Sequence, residues 1–350
     1  MSALATRISR RSTLQLLAAS AGWAAGAALS PGLVLAQAAP LDQVLSAAAA
    51  LASLETVMVC RGGEVLAEQG YRGHSVDDPT NIKSASKSVI SGLVGAAIDR
   101  GALAGVDQRV AVILATDVPD DADPRIRAIT VGNLLSMQAG LHPTSGPNYG
   151  TWVASDNWVR SALDQPFASD PGGAMLYSTG SSHLLSAILT EVTRRSTLDN
   201  AHDWFGAVGD FAIAAWERDP QGIYLGGNEM AMTPRSLLAF GEVYRTGGLA
   251  PDGSRVLSQN WIDQSWTART NSRYSGYGYG YGYGWFLRTI GGEDVRFAWG
   301  YGGQMLYVVP SLDLTVVMTS DDRPRASTIS DRDRLHDLLA EIIAAMRSEA

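Results

Sequence analysis

Segments patterned as β-strands stand at the two ends of this chain, and helical patterns fill the stretch between them. Near the start, Thr56-Val57-Met58-Val59-Cys60 and Glu64-Val65-Leu66-Ala67 flank Arg61-Gly62-Gly63. Two apolar runs around a glycine turn predict a hairpin. A helix is expected before it, over residues 41–51. Toward the other end, strands are expected at 285–290, 294–299, 304–309 and 312–319, with turns at Gly291-Gly292, Gly302-Gly303 and Pro310-Ser311. A last helix is expected over about 330–347. The fold class is therefore α/β, of the α+β kind: one antiparallel β-sheet built from both termini, flanked by helices, with an inserted helical lobe.

That lobe is expected over about residues 102–250, mostly helical, with helices near 129–138, 156–164, 180–194 and 233–246 between Gly/Pro/Asp loops. Just before it, Val89, Ile90, Leu93, Val94, Ala97 and Ile98 recur at helical spacing after Ser84, and Gly101 closes the run. Ser84 thus opens a long buried helix. Gly276 to Gly284 is a strict Tyr/Gly alternation. Extended, it places Tyr277, Tyr279, Tyr281 and Tyr283 on one face, as an edge strand or flexible rim, or else as an aromatic platform for substrate.

Residues 1–38 read as an export signal. Arg7, Arg10 and Arg11 precede an apolar stretch from Leu14 to about Leu35, and Ala36-Gln37-Ala38 offers a small-x-small cleavage site. Ser9-Arg10-Arg11-Ser12-Thr13-Leu14 resembles a twin-arginine signal, with Thr13 where Phe is usual. An uncleaved anchor is the alternative, against which Gly22, Gly26, Ser30 and Pro31 speak. The expected location is periplasmic or secreted, without stable membrane insertion after cleavage. Removal of this segment takes away three arginines and no acid, moving the formal charge from −8 to −11. An acidic chain of 39–350 with no basic cluster repels phosphate backbones, so nucleic acid is excluded as a partner.

Only two lysines occur, Lys83 and Lys87, both beside Ser84. Arginine stays protonated, whereas a desolvated lysine amine releases its proton, so a retained lysine points to proton transfer. Ser84 and Lys87 are three apart and share a helix face. A serine hydroxyl is a weak nucleophile until a base takes its proton, and a helix N-terminus favours the negative charge that develops. Lys83 is expected to face solvent or the mouth of the site. Spacing alone also fits a chance pair in a Ser/Ala-rich helix start.

A second segment, Pro171-Gly172-Gly173-Ala174-Met175-Leu176-Tyr177-Ser178-Thr179-Gly180, puts Tyr177 just before a helix. A tyrosine between a lysine and a serine can take a proton and later hand it to the leaving group. A third is the late strand Ala298-Trp299-Gly300-Tyr301-Gly302-Gly303.

In order and spacing these three segments resemble the serine β-lactamase and penicillin-binding superfamily, in its class C-like branch of esterases, D-aminopeptidases and 6-aminohexanoate-dimer hydrolase. The resemblance covers about residues 54–346 and implies a β-lactamase/transpeptidase-like fold. It implies Ser84 as acylated nucleophile, Lys87 as its hydrogen-bonded partner and Tyr177 as general base and acid. It further implies an oxyanion hole from the backbone N–H groups of Ser84 and Tyr301, and substrate contacts at Thr179, Trp299 and Gly300. Thr179 stands where many members have Asn. The family's Lys-Thr-Gly becomes Ala298-Trp299-Gly300, which removes the charge and hydroxyl that help hold a β-lactam carboxylate. By strand alternation Arg296 shares a face with Ala298 and would restore a positive charge.

Ser155-Asp156-Asn157, with Glu191 downstream, spells a class A β-lactamase alternative. Against it, Glu191 lies inside a predicted helix, and Ser155 reads as the N-cap of the helix carrying Trp158, Val159 and Leu163. Cys60 reads as a buried structural thiol in a strand. The five histidines form no ligand pair, so no metal and no cofactor are expected. The expected function is exported serine hydrolysis of a small-molecule ester or amide through a Ser84 acyl-enzyme. A true β-lactamase or D,D-peptidase is the near alternative, and a catalytically silent binding domain the distant one.

Overall fold

The computed structural model describes residues 39–272, 279–323 and 328–348. The export signal, its cleavage site and Tyr277 lie outside the described residues. An eight-stranded sheet runs in the order Glu64–Gly70, Leu54–Arg61, Leu314–Ser320, Gln304–Val309, Glu293–Gly300, Phe286–Ile290, Tyr279–Tyr281, Thr270–Ser272. Every neighbouring pair is antiparallel. The two ends of the chain meet in the strands Leu54–Arg61 and Leu314–Ser320, where Val57 faces Met318 and Val59 faces Val316. The Thr56 and Thr319 hydroxyls close that seam at 2.6 Å.

Side chains along a strand alternate between faces, and here both faces are dry. Val57, Val59, Met305, Tyr307, Val316 and Met318 pack into one apolar cluster with Leu41 and Val44 of the helix Leu41–Ala48 and Leu335 and Leu339 of the helix Thr328–Ser348. Met58, Cys60, Leu306, Val308 and Val317 enter a second cluster with Val89 and Leu93 of the helix Ser86–Asp99 and Leu237 and Phe240 of the helix Pro234–Arg245. Burial on both faces is why these strands read as continuous apolar runs. Each fully buried Leu, Ile or Val contributes about 1.5–3 kcal/mol. Cys60 is buried, and loss of water with the nearby Glu242 pushes its thiol up to about 12.

The region 102–250 differs from the expectation. Only two of its helices exceed eight residues, Thr179–Thr193 and Pro234–Arg245, and long turns join the short ones. The expected helix 129–138 is confined to Val131–Leu135, capped by Thr130 and Asn133 at one end and broken by Met137 at φ +61° at the other. A three-stranded sheet, Thr80–Asn81, Met230–Met232 and Ala215–Trp216, was not foreseen, because strands of two or three residues leave no periodic trace.

The Tyr/Gly segment is neither rim nor edge where it is described. The outer strand is Thr270–Ser272, and Tyr279–Tyr281 pairs inside it. Tyr279 and Tyr281 are buried edge-to-face against Phe297 and Phe286. Tyr283 leaves their face and stacks on Trp261 at 5.8 Å in the other cluster. The intervening glycines let the strand pass close to its neighbours: a Cβ on Gly280 would lie 3.3 Å from Leu287.

Helix packing gives a direct test at Gly95, where a Cβ would lie 2.3–2.4 Å from three atoms of the buried Trp261 indole. In an open helix Gly95→Ala would add about 1 kcal/mol. Overpacking against an indole that cannot retreat should outweigh that and lower stability by about 1–3 kcal/mol, read from urea denaturation midpoints.

Candidate active site

The chain reaches Ser84 under tight restraint. Thr80–Asn81 pairs with Met230–Met232, and the Ile82 N–H donates to the Met230 carbonyl at 2.9 Å. Asn81 Oδ1 then accepts from the Lys83 N–H at 2.9 Å. Lys83 is held at φ +50°, a left-handed conformation uncommon for a non-glycine residue and frequent at functional sites. Ser84 follows in a 3₁₀ turn, Lys83–Ala85, and the α-helix proper begins at Ser86. Ser84 therefore stands just ahead of the fourteen-residue helix Ser86–Asp99, at its positive end.

Lys87 lies one turn in, only 3% exposed. Its Nζ is 3.0 Å from Ser84 Oγ, 2.6 Å from the Gly227 carbonyl and 3.4 Å from Thr179 Oγ1. Burial lowers the amine to about 7. A neutral amine has two N–H donors and one lone pair. With the Gly227 carbonyl and Thr179 Oγ1 accepting the two N–H bonds, the lone pair is left to the Ser84 hydroxyl.

The opposing wall is the start of the helix Thr179–Thr193. The Thr179 N–H donates to Ser145 Oγ at 2.8 Å, and the two hydroxyls lie 3.0 Å apart. One residue earlier on each strand of chain, Ser178 Oγ accepts from the Thr144 N–H at 3.1 Å, and Thr144 Oγ1 accepts from the Gly180 N–H at 2.9 Å. These bonds stitch the loop around 142–149 to the segment carrying Tyr177. The Tyr177 ring centroid is 5.0 Å from Lys87 Nζ and packs on Phe286 and Tyr281.

Ser84, Tyr177, Thr179, Trp299 and Tyr301 line one cavity of about 790 Å³. Lys87 is not itself on the lining and lies behind Ser84, in contact with its Oγ. Gly300 does not line it: a Cβ there would be 2.2 Å from the Ile82 carbonyl, so this glycine lets the late strand touch the nucleophile's turn. Phe286, Trp299, Tyr149 and Tyr301 make the walls largely aromatic, with the Tyr301 side chain 54% exposed at the lip. Lys83, Asp321, Asp322, Arg323 and the buried Arg332 bring charge to the lining. Lys83 reaches Asp322 at 2.9 Å and Glu229 at 3.9 Å, and Arg323 reaches Asp321 at 2.6 Å. Lys83 is thus at the mouth.

Two expectations are corrected, on Arg296 and on Ser155, and the reading against Glu191 stands, since it lies in the helix Thr179–Thr193. Arg296 does not bring a charge to the site: its guanidinium carbon lies 6.0 Å over the Trp266 ring, and the arginines that line the cavity are Arg323 and Arg332. Ser155 is not the N-cap, because Asn157 accepts the Arg160 N–H at 2.8 Å while Ser155 Oγ donates to the Trp152 carbonyl. Glu191 pairs with Arg194 at 2.8 Å and lies outside the Ser84 cavity, as does Ser155. Residues that sequence reasoning missed are Ser145, Tyr149 and Asn228, whose amide donates to the Tyr149 hydroxyl at 3.0 Å. The glycine pair Gly226-Gly227, a turn signal just before Asn228, was the available clue.

The depressed Lys87 amine has a thermodynamic signature. Between about 7 and the model-peptide value of 10.5 the unfolded chain holds a proton that the folded chain has released. Stability from this group therefore rises with pH across that window and is lowest below it. Lys87→Met should flatten the rise, measured as urea midpoints at several alkaline pH values.

The Beta-lactamase family model matches residues 36–341. A curated relative, the 6-aminohexanoate-dimer hydrolase of Paenarthrobacter ureafaciens, is 26% identical over 225 residues, covering 60% of this chain and 56% of the relative. The chain thus spans about half the length of that relative. Among solved structures, EstCE1, a hydrolase with promiscuous acyltransferase activity, superposes with a TM-score of 0.68 at 18% identity, over 87% of this chain and 97% of that one. A class C beta lactamase from Rhodobacter sphaeroides gives a TM-score of 0.63 at 18% identity, over 86% of this chain and 99% of that one. Both structural matches speak to the fold. The chain therefore belongs to the Beta-lactamase family of hydrolases and is related to 6-aminohexanoate-dimer hydrolase.

Proposed function

We propose that this chain is an exported serine hydrolase that cleaves a small-molecule ester or amide through an acyl-enzyme on Ser84. The observation that carries this reading is the dry Lys87 amine 3.0 Å from Ser84 Oγ, with its N–H bonds occupied by Gly227 and Thr179. Ser84 Oγ attacks the substrate carbonyl as its proton passes to Lys87 Nζ. In this reading the backbone N–H groups of Ser84, at the helix start, and of Tyr301 stabilise the oxyanion. On collapse the carbon–oxygen or carbon–nitrogen bond breaks, and the leaving group takes a proton from the Lys87–Tyr177 pair, Tyr177 being the member on the cavity wall. Water then repeats the sequence on the acyl-enzyme and frees the acid. Tyr149, Phe286 and Trp299 make the acyl side apolar, which favours a neutral ester or linear amide. Processing after residue 38 and a periplasmic or secreted location complete the reading.

A carboxylate-bearing substrate, such as a β-lactam or a D,D-peptide, is the second reading. Arg332 favours it, because its guanidinium lies in the cavity 5.0 Å over the Trp299 ring. A panel of p-nitrophenyl esters, 6-aminohexanoate oligomers, D-amino-acid peptides and nitrocefin separates the two. Ester turnover well above nitrocefin turnover is the expected result. Ser84→Ala should lower kcat at least about 1,000-fold on every substrate turned over. Lys87→Arg keeps the charge but removes the titratable amine, and near-complete loss of activity is expected. A variant that kept most of its activity would refute the proton-acceptor role.

A further inference from the structure

We propose that His183 and Asp219, a buried pair behind the Gly226-Gly227 turn, are positioning residues that hold the Gly227 carbonyl against Lys87. The inference rests on the reading of Lys87 as the proton acceptor. His183 Nε2 lies 2.9 Å from Asp219 Oδ2, and neither side chain has any exposure. On the other side of the imidazole the Gly226 N–H donates to His183 Nδ1 at 3.4 Å. A nitrogen that accepts carries no proton, so the proton sits on Nε2 and is donated to Asp219. Asp219 is fixed in turn, because its Oδ1 accepts from the Gln221 and Ile223 N–H groups at 2.9 and 2.8 Å.

The turn beyond is wedged between the helix Thr179–Thr193 and Lys87. A Cβ on Gly226 would lie 2.2 Å from the Ser182 carbonyl oxygen. On Gly227, held at φ +96°, it would lie 2.8 Å from Lys87 Cγ and 3.1 Å from Nζ. Nothing but glycine fits at either place, so an imidazole that moves or changes tautomer transmits directly to the Gly227 carbonyl. Facing Lys87 across this turn are the Ser84 and Thr179 hydroxyls and the Tyr177 ring, and among the described residues no carboxylate contacts its amine. The pair therefore acts through geometry: it sets which way the Lys87 lone pair points.

Asp219→Asn probes this with little change of shape. The amide oxygen of the substituted side chain remains occupied by the two backbone N–H groups, so its N–H₂ faces His183 Nε2 and makes that nitrogen the acceptor. The imidazole proton moves to Nδ1 and opposes the Gly226 N–H. The experiment is the pH dependence of Ser84 phosphonylation by a fluorophosphonate, in which Oγ bonds phosphorus and fluoride leaves, followed by mass spectrometry, in wild type, Asp219→Asn and His183→Asn. Circular dichroism verifies folding. Wild type should be phosphonylated faster as pH rises through about 7. Folded Asp219→Asn should lose at least about tenfold in plateau rate and shift its midpoint, a change that mere loss of stability would not produce. His183→Asn, which can keep an acceptor toward Gly226, should lose less.

Folded Asp219→Asn with the wild-type rate and midpoint overturns the inference. A wild type whose phosphonylation shows no rise through neutral pH sinks the Lys87 reading instead, so the two failures are distinct. If both variants fail to fold, nitrogen NMR of the wild-type imidazoles decides. A neutral Nε2–H tautomer at His183 is required, and an Nδ1–H tautomer overturns it.

Discussion

Lys87 is an amine that the fold has taken out of water, and the chemistry proposed for Ser84 depends on that single desolvation. In water a lysine is protonated at neutral pH and offers only donors. Beneath Ser84 burial alone brings it to about 7, and its surroundings are hydroxyls, a ring and a carbonyl. A carboxylate in contact would restore the proton and end its use as a base. The carboxylates of this region are held at the rim, with Asp322 on Lys83 and Asp321 on Arg323. Exposed ion pairs of this kind add little stability. Their consequence here is to hold these carboxylates on other cations and off the Lys87 amine.

The scaffold serves the same constraint through close backbone approach. Gly300 touches the Ile82 carbonyl, Gly227 touches Lys87, and Gly226 touches Ser182, each at a distance that a Cβ would not allow. The nucleophile's turn is thereby clamped between the late strand Glu293–Gly300 and the turn that precedes the small sheet's strand Met230–Met232. That clamp also supports the left-handed backbone of Lys83, which would otherwise relax. The two lysines have opposite environments: Lys83 is paired with acids at the mouth, and among the described residues no acid contacts the Lys87 amine.

The large sheet was legible because most of its strands are five to eight residues long and alternate between two dry faces, as at Val57, Met58, Val59 and Cys60. The helix after Ser84 was legible from its apolar spacing for the same reason. What failed to show is of three kinds. The strands Thr80–Asn81 and Ala215–Trp216 are shorter than any period. The Gly227 carbonyl is a backbone group, and no residue type announces where a carbonyl will point. Tyr279 and Tyr281 look like rim residues by composition and are core because Phe286 and Phe297 lie beside them. Of the site, Ser84, Tyr177, Thr179, Trp299 and Tyr301 line one cavity with Lys87 behind Ser84, whereas Gly300 and Arg296 do not line it. The positive charge that Ala298 lacks is supplied near the cavity from other elements, by Arg332 and Arg323.

Because the chain has two lysines, the protonation of Lys87 can be watched almost in isolation. Carbon NMR of protein labelled at lysine Cε gives two side-chain resonances, and Lys83→Arg leaves only that of Lys87. The account predicts a titration midpoint at about 7 for the remaining resonance. A midpoint near the unperturbed lysine value of about 10.4 would show a permanently charged amine beneath Ser84 and contradict its role as proton acceptor.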